Sequence, residues 1–155
     1  MELADILSRQ SIIAGAKVAS KRQLLQLLAD RASELTGLDA QTIFETLQNR
    51  EQLGSTGLGN GIAIPHGKIK GLSGVAALFV QLAQPIDFDA VDDQPVDLVV
   101  MLLAPEGSGA DHLKALSRVA RLLRADGVVD RLRATQDEAK LRDILTTPLE
   151  ATNAA

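Results

Sequence analysis

The 155 residues contain only two histidines. One of them, His66, stands between Pro65 and Gly67 in the stretch GNGIAIPHGKIKG, residues 59–71. Neutral imidazole is a nucleophile, and an unshifted ring is largely neutral near pH 7. It can form a covalent intermediate. Pro65 carries no amide hydrogen and drives Ile64 toward an extended backbone, so the ring is delivered from the end of a strand at a fixed angle. Gly67, without a Cβ, lets the chain turn sharply and a partner approach. One ring nitrogen must be held as N–H for the other to keep its lone pair free. A carbonyl of the 65–69 turn is the expected acceptor, with the choice of nitrogen left open.

A phosphoryl group on such a ring would bring about two negative charges, which need donors around them. Arg50 has the planar fork that suits phosphate oxygens. The run GSTGLGNG, residues 54–61, adds the hydroxyls of Ser55 and Thr56 and glycine-rich backbone N–H groups. The expected phosphoryl-binding loop comprises Ser55, Thr56, Gly57, Asn60 and Gly67, with Lys68 two residues beyond the histidine. His112 lies in the first turn of a helix, a position that favours anions, and could meet His66 at one edge of a sheet.

Plainer readings fit the same residues. A lone histidine in a Pro/Gly loop is often a surface turn residue, and Arg50 at a helix end compensates the dipole. His112 also suits a packed, partly buried histidine. The glycine run is no Walker loop, because no G-K-[ST] closes it. The carboxylates Asp87, Asp89, Asp92, Asp93 and Asp97 match no EF-hand spacing and read as a solvated turn.

The elements that must position these groups follow from caps and periodicity. Ser20 and Gln23 form a capping box ahead of Leu24, Leu25, Leu28, Ala32 and Leu35, and Gly37 stops that helix. Asp39 caps a second helix with Ile43, Phe44 and Leu47 inward, ended by Gly54. Strands are expected over 11–16, around Ile62 and Ile64, over 75–83 and over 98–104, with an extended piece around 86–88. Ser108 is expected to cap a third long helix, Asp126 to start a short one, and Thr135 with Glu138 to box the last. Residues 1–150 then form one domain and 151–155 a frayed tail. The fold class is α/β (α+β), a single-domain sandwich with a central mixed sheet of about five strands flanked by helices.

Composition narrows the function. Apolar residues make up 46%, enough for a core, and the net charge of −4 supplies no basic face for nucleic acid. Three Phe without Trp or Tyr remove the usual base-stacking platforms. The absence of cysteine excludes disulfides and thiolate metal sites. The opening MELADILSRQ does not read as a secretory signal, and the longest apolar run, 98–104, is far short of a membrane span. The expectation is a cytoplasmic protein without membrane insertion.

The run N-R-E-x-L-G-S-T-G-L-G-N-G-I-A-I-P-H-G-K, residues 49–68, resembles the active-site signature of the enzyme IIA domains of the bacterial phosphotransferase system, fructose/mannitol type. Asn60 and the G-K-I after the histidine resemble the nitrogen-regulatory branch. The resemblance implies that a histidine-containing phosphocarrier protein, charged from phosphoenolpyruvate through enzyme I, phosphorylates His66. It places Arg50 and His112 near the phosphoryl group and requires no cofactor or metal. It implies regulation of partners such as potassium transport or sensor proteins. The alternative within the family is a sugar-specific IIA passing the group to a IIB domain, and the absence of fused IIB or membrane segments favours the regulatory branch. A small histidine-dependent hydrolase is the reading from another class.

Overall fold

The computed structural model describes residues 2–147. Ser20 starts the first long helix as expected. Its hydroxyl accepts the Gln23 N–H at 3.2 Å, while the Gln23 side chain turns back to the Ala19 N–H at 2.7 Å rather than to Ser20 itself. This helix, α2 (Lys21–Thr36), ends at Gly37 in the left-handed region, φ 77°. Helix α3 (Ala40–Leu53) is capped by Asp39, whose carboxylate accepts the Thr42 N–H at 2.9 Å. Before them lies a short helix, α1 (Leu3–Ile6), which four residues of periodicity are too few to announce.

The sheet has six strands, one more than expected. They are β1 (Ile12–Ala16), β2 (Gly57–Gly59), β3 (Ile62–Ala63), β4 (His66–Ile69), β5 (Ala76–Ile86) and β6 (Val96–Pro105). The order is β1-β5-β6-β3-β2, and β4 also pairs with β6, beyond β3 along the same flank. The sheet is mixed: β5 and β6 run antiparallel, whereas β1 is parallel to β5, and β3 and β4 are parallel to β6. Among the described residues no further strand pairs with β4, so it is an edge.

Near-continuous apolar character in β5 and β6 reflects cover on both faces. Val99, Met101 and Leu103 of β6 pack toward α2 and α3. Leu98, Val100 and Leu102 pack toward α4 (Gly109–Arg124), α5 (Val128–Arg133) and α6 (Glu138–Thr146). Each such side chain, fully buried, contributes about 1.5–3 kcal/mol. The alternation decides where the chemistry faces, because every strand residue in register with Leu102 shares the α4 side.

Local details depart from the expectations where side chains found other partners. Ser11 belongs to a 3₁₀ turn, so the first strand begins at Ile12. The Ser108 hydroxyl donates to the Pro105 carbonyl at 2.7 Å and does not cap α4. Helix α5 follows Gly127, φ 79°, rather than Asp126. The last helix is capped by Asp137, which accepts from Ala139 and Lys140, while Thr135 accepts the Asp137 N–H one step earlier. The expected tail, 151–155, lies outside the described residues. No helix among the described residues is long and apolar enough to cross a membrane.

Candidate functional site

His66 is the first residue of β4. The Pro65 carbonyl just before it accepts the Leu102 N–H at 3.0 Å, and His66 itself is in register with Leu102. The half-buried ring therefore stands on the α4 face of the sheet. Its Nδ1 lies 2.8 Å from the Ile64 carbonyl. A carbonyl only accepts, so Nδ1 must carry the hydrogen, and the lone pair of the neutral ring is left on Nε2. The acceptor is thus Ile64, upstream of the 65–69 turn that the sequence pointed to.

Helix α4 brings His112 to the same place. The two ring centroids are 5.5 Å apart, tilted by 60°. His112 is 7% exposed, and its Nε2 is buried without a hydrogen-bond partner. Buried polar atoms without partners are rare and costly. Burial first, then the nearby His66 and Lys68, hold the His112 pKa below its ordinary value.

Lys68 shares the His66 side of β4, since the strand alternates. Its Nζ is 4.0 Å from the point where a Cβ on Gly109, the first residue of α4, would sit. Lys68 forms no ion pair among the described residues. A cation at the positive end of a helix is unfavourable unless an anion joins it. His66, His112 and Lys68 thus lie close together at the start of α4.

Gly67 serves close packing rather than a turn. A Cβ there would stand 2.7 Å from Thr46 Cγ2, so α3 can lie on β4 only because none exists. Arg50 is one helical turn beyond Thr46 on the same face of α3. Its guanidinium donates to the Gly54 carbonyl at 2.9 Å. Helix α3, which carries Arg50, covers the sheet face opposite His66.

The hydroxyls expected in the loop are committed elsewhere. Ser55 donates to the Phe88 carbonyl at 2.9 Å and accepts the Gly57 N–H at 3.0 Å. Thr56 is buried, with its hydroxyl on Glu51. Gly57 has no room for a Cβ, which would stand 2.8 Å from that of Ala90. Asn60 is at the tip of the β2–β3 hairpin with φ 56°. There the Gly61 carbonyl accepts the N–H groups of Asp97 and Leu98, whereas His66 is level with Leu102. Five residues of β6 at about 3.3 Å each separate the two by roughly 17 Å. The structure does not bring Asn60 to His66.

The acidic residues are used locally. Asp92 accepts from Asn60 and Gln94, which lowers its pKa, and Asp97 holds Arg133. The sequence reading missed Glu51 and its partner Lys21, 3.0 Å away. A signal was there: Ile43, Leu47 and Glu51 are spaced by four, which puts a charge on the buried stripe of α3.

The comparisons agree with this architecture. A family model described as "Phosphoenolpyruvate-dependent sugar phosphotransferase system, EIIA 2" matches residues 5–147. A nitrogen regulatory protein of Bradyrhizobium diazoefficiens is 50% identical over 148 residues, covering 96% of this chain and 97% of that protein. One from Escherichia coli is 41% identical, covering 97% and 96%. The crystal structure of nitrogen regulatory protein IIA-Ntr from Neisseria meningitidis superposes with a TM-score of 0.89 at 35% identity, covering 93% of this chain and 99% of that one. The fold and the paired imidazoles thus sit in a mixed α/β scaffold shared with phosphotransferase components. The chain belongs to the EIIA 2 family of the phosphoenolpyruvate-dependent sugar phosphotransferase system.

Proposed function

We propose that this chain is a cytoplasmic phosphocarrier of the nitrogen-related phosphotransferase system. It accepts a phosphoryl group on His66 Nε2 from a histidine-containing phosphocarrier protein, and its phosphorylation state governs binding to partners such as potassium transport or sensor proteins. One observation carries the reading. The Nδ1–H of His66 is held by the Ile64 carbonyl, and the His112 ring, whose Nε2 has no partner, lies 5.5 Å from it, centre to centre.

The chemistry is an in-line exchange between two imidazoles. The Nε2 lone pair forms the new N–P bond as the donor's N–P bond breaks, and the donor ring keeps that electron pair. The Nδ1 hydrogen stays in place throughout. Such transfers run through a loose transition state and need positioning and charge stabilisation most. Lys68 and the start of α4 meet the equatorial oxygens, and His112 donates from Nε2 once the arriving dianion raises its proton affinity. Arg50 closes the edge of the site. Ser55, Thr56, Gly57 and Gly67 shape the loop without touching the phosphoryl group. The similarity to nitrogen regulatory proteins supports the regulatory branch.

The test is incubation with phosphoenolpyruvate, enzyme I and the carrier protein. One acid-labile, base-stable phosphoryl group should appear on His66 and vanish in His66→Ala. Label on another residue, or none, overturns the proposal. Onward transfer to a fructose- or mannitol-type IIB domain, without state-dependent capture of a transport or sensor protein, would assign the chain to sugar uptake instead.

A further inference from the structure

The glycine loop is anchored by a buried carboxylate. The Glu51 side chain, 4% exposed, follows Arg50 on α3. Its Oε1 accepts the Thr56 N–H at 3.1 Å and lies 3.0 Å from Lys21 Nζ. Its Oε2 accepts the Thr56 hydroxyl. Lys21 opens α2 and places its ammonium 4.4 Å from the centre of the Phe88 ring, and the Phe88 carbonyl receives the Ser55 hydroxyl. Two helices and the glycine loop meet at this one carboxylate, and Lys21 and Ser55 tie the β5–β6 connection to it.

From Thr56 the contacts lead straight to the reacting ring. The Thr56 carbonyl accepts the Ile64 N–H at 3.1 Å, and the Ile64 carbonyl accepts the His66 Nδ1–H at 2.8 Å. A buried ion pair is weak support for stability, because desolvation offsets the attraction. Its geometry, however, is demanding, and here that geometry ends on the atom that selects the tautomer.

We infer that Glu51, held by Lys21, is a positioning residue for His66, acting through Thr56 and Ile64. It fixes the Ile64 carbonyl where it captures Nδ1–H and so keeps the lone pair on Nε2. When the carboxylate is lost, Thr56 and Ile64 drift, and the ring gains access to the tautomer whose Nε2 carries hydrogen and cannot attack. The kinetic part rests on the phosphocarrier reading; the tautomer part does not.

The experiment uses the full chain with Glu51→Gln, Thr56→Val and Thr56→Ser. Transfer from the charged carrier is measured at saturating and subsaturating carrier, alongside the ring ¹⁵N shifts of His66. Glu51→Gln and Thr56→Val should lower the saturated rate roughly tenfold or more, the scale of lost outer-shell support, with the half-saturating carrier concentration unchanged. The His66 shifts should move from a pure Nδ1–H ring toward mixed tautomers, and Thr56→Ser should match wild type. A folded Glu51→Gln with wild-type rate and wild-type shifts overturns the inference. Should Glu51→Gln fail to fold, Thr56→Val decides by the same two readouts. If the wild type itself takes no phosphoryl group, the functional reading fails while the ¹⁵N shifts still decide the positioning claim.

Discussion

The two ends of the β3–β4 flank along β6 are built from similar polar residues and treated in opposite ways. At the hairpin tip Arg133, Asp97 and Asp92 are all matched. Arg133 grips both oxygens of Asp97 at 2.8 and 2.9 Å and reaches the Asn60 carbonyl at 2.7 Å, and Asp92 takes the Asn60 N–H. At the His66 end the groups remain unmatched among the described residues: His112 Nε2 has no partner, Lys68 has no carboxylate, and His66 Nε2 keeps its lone pair. Glycine and charged side chains are present at both. What separates the two ends is the missing partner, since a buried polar atom left without one is rare and costly in a fold.

Replacing His112 tests this contrast most severely. His112→Phe should slow phosphoryl transfer on the order of a hundredfold, the effect of removing one preorganised donor. The melting temperature should hold or rise, because an unsatisfied buried nitrogen is removed. A large loss of stability with normal transfer would make His112 an ordinary core residue. The pH dependence sharpens the same point. His112 has a native pKa below its ordinary 6.5, so the unfolded chain binds its proton more readily. Its contribution is complete above the unfolded value, shrinks as pH falls below it, and is gone once pH has passed the native value. Thermal melts of wild type should therefore lose ground on acidification through that window, and His112→Phe should lose less.

Lys68→Met should have the next largest effect, slowing transfer roughly tenfold, about one charge-assisted bond. Rates measured at low and high salt would show the variant less salt-sensitive than wild type. Arg133→Met should do the least to chemistry. Transfer stays at the wild-type rate while denaturant melts show a loss of about 1 kcal/mol, as for other partly exposed ion pairs. A transfer defect there would erase the distinction between the two ends.

Much of this was legible in the order of residues. Caps at Ser20 and Asp39, the stops at Gly37 and Gly54, and unbroken apolar runs fixed the two early helices and the central strands, because those signals are local. The run from residue 49 to 68 pointed to the family and to His66 as its candidate ring. What stayed hidden depends on contacts across the chain. Asn60 and His66 are six residues apart, yet the β3–β4 passage along β6 carries them to different ends. Gly67 was read as a turn, whereas its reason is the Thr46 methyl on α3. The spacing of Glu51 hints at burial, but its partner Lys21, thirty residues earlier, is visible only in the fold. The hydrogen on His66 could be assigned only when the Ile64 carbonyl had a position.

One feature of the sheet joins solubility to chemistry. Strand β4 is an open margin, and open margins invite another chain to add a strand and polymerise. Lys68 and Lys70, both exposed, stand on and just past that margin. Their charges repel a neighbouring copy approaching edge to edge. The ammonium that the phosphocarrier reading assigns to a phosphate oxygen thus also acts as a gatekeeper, so a substitution of Lys68 leaves the protein more prone to clump when concentrated.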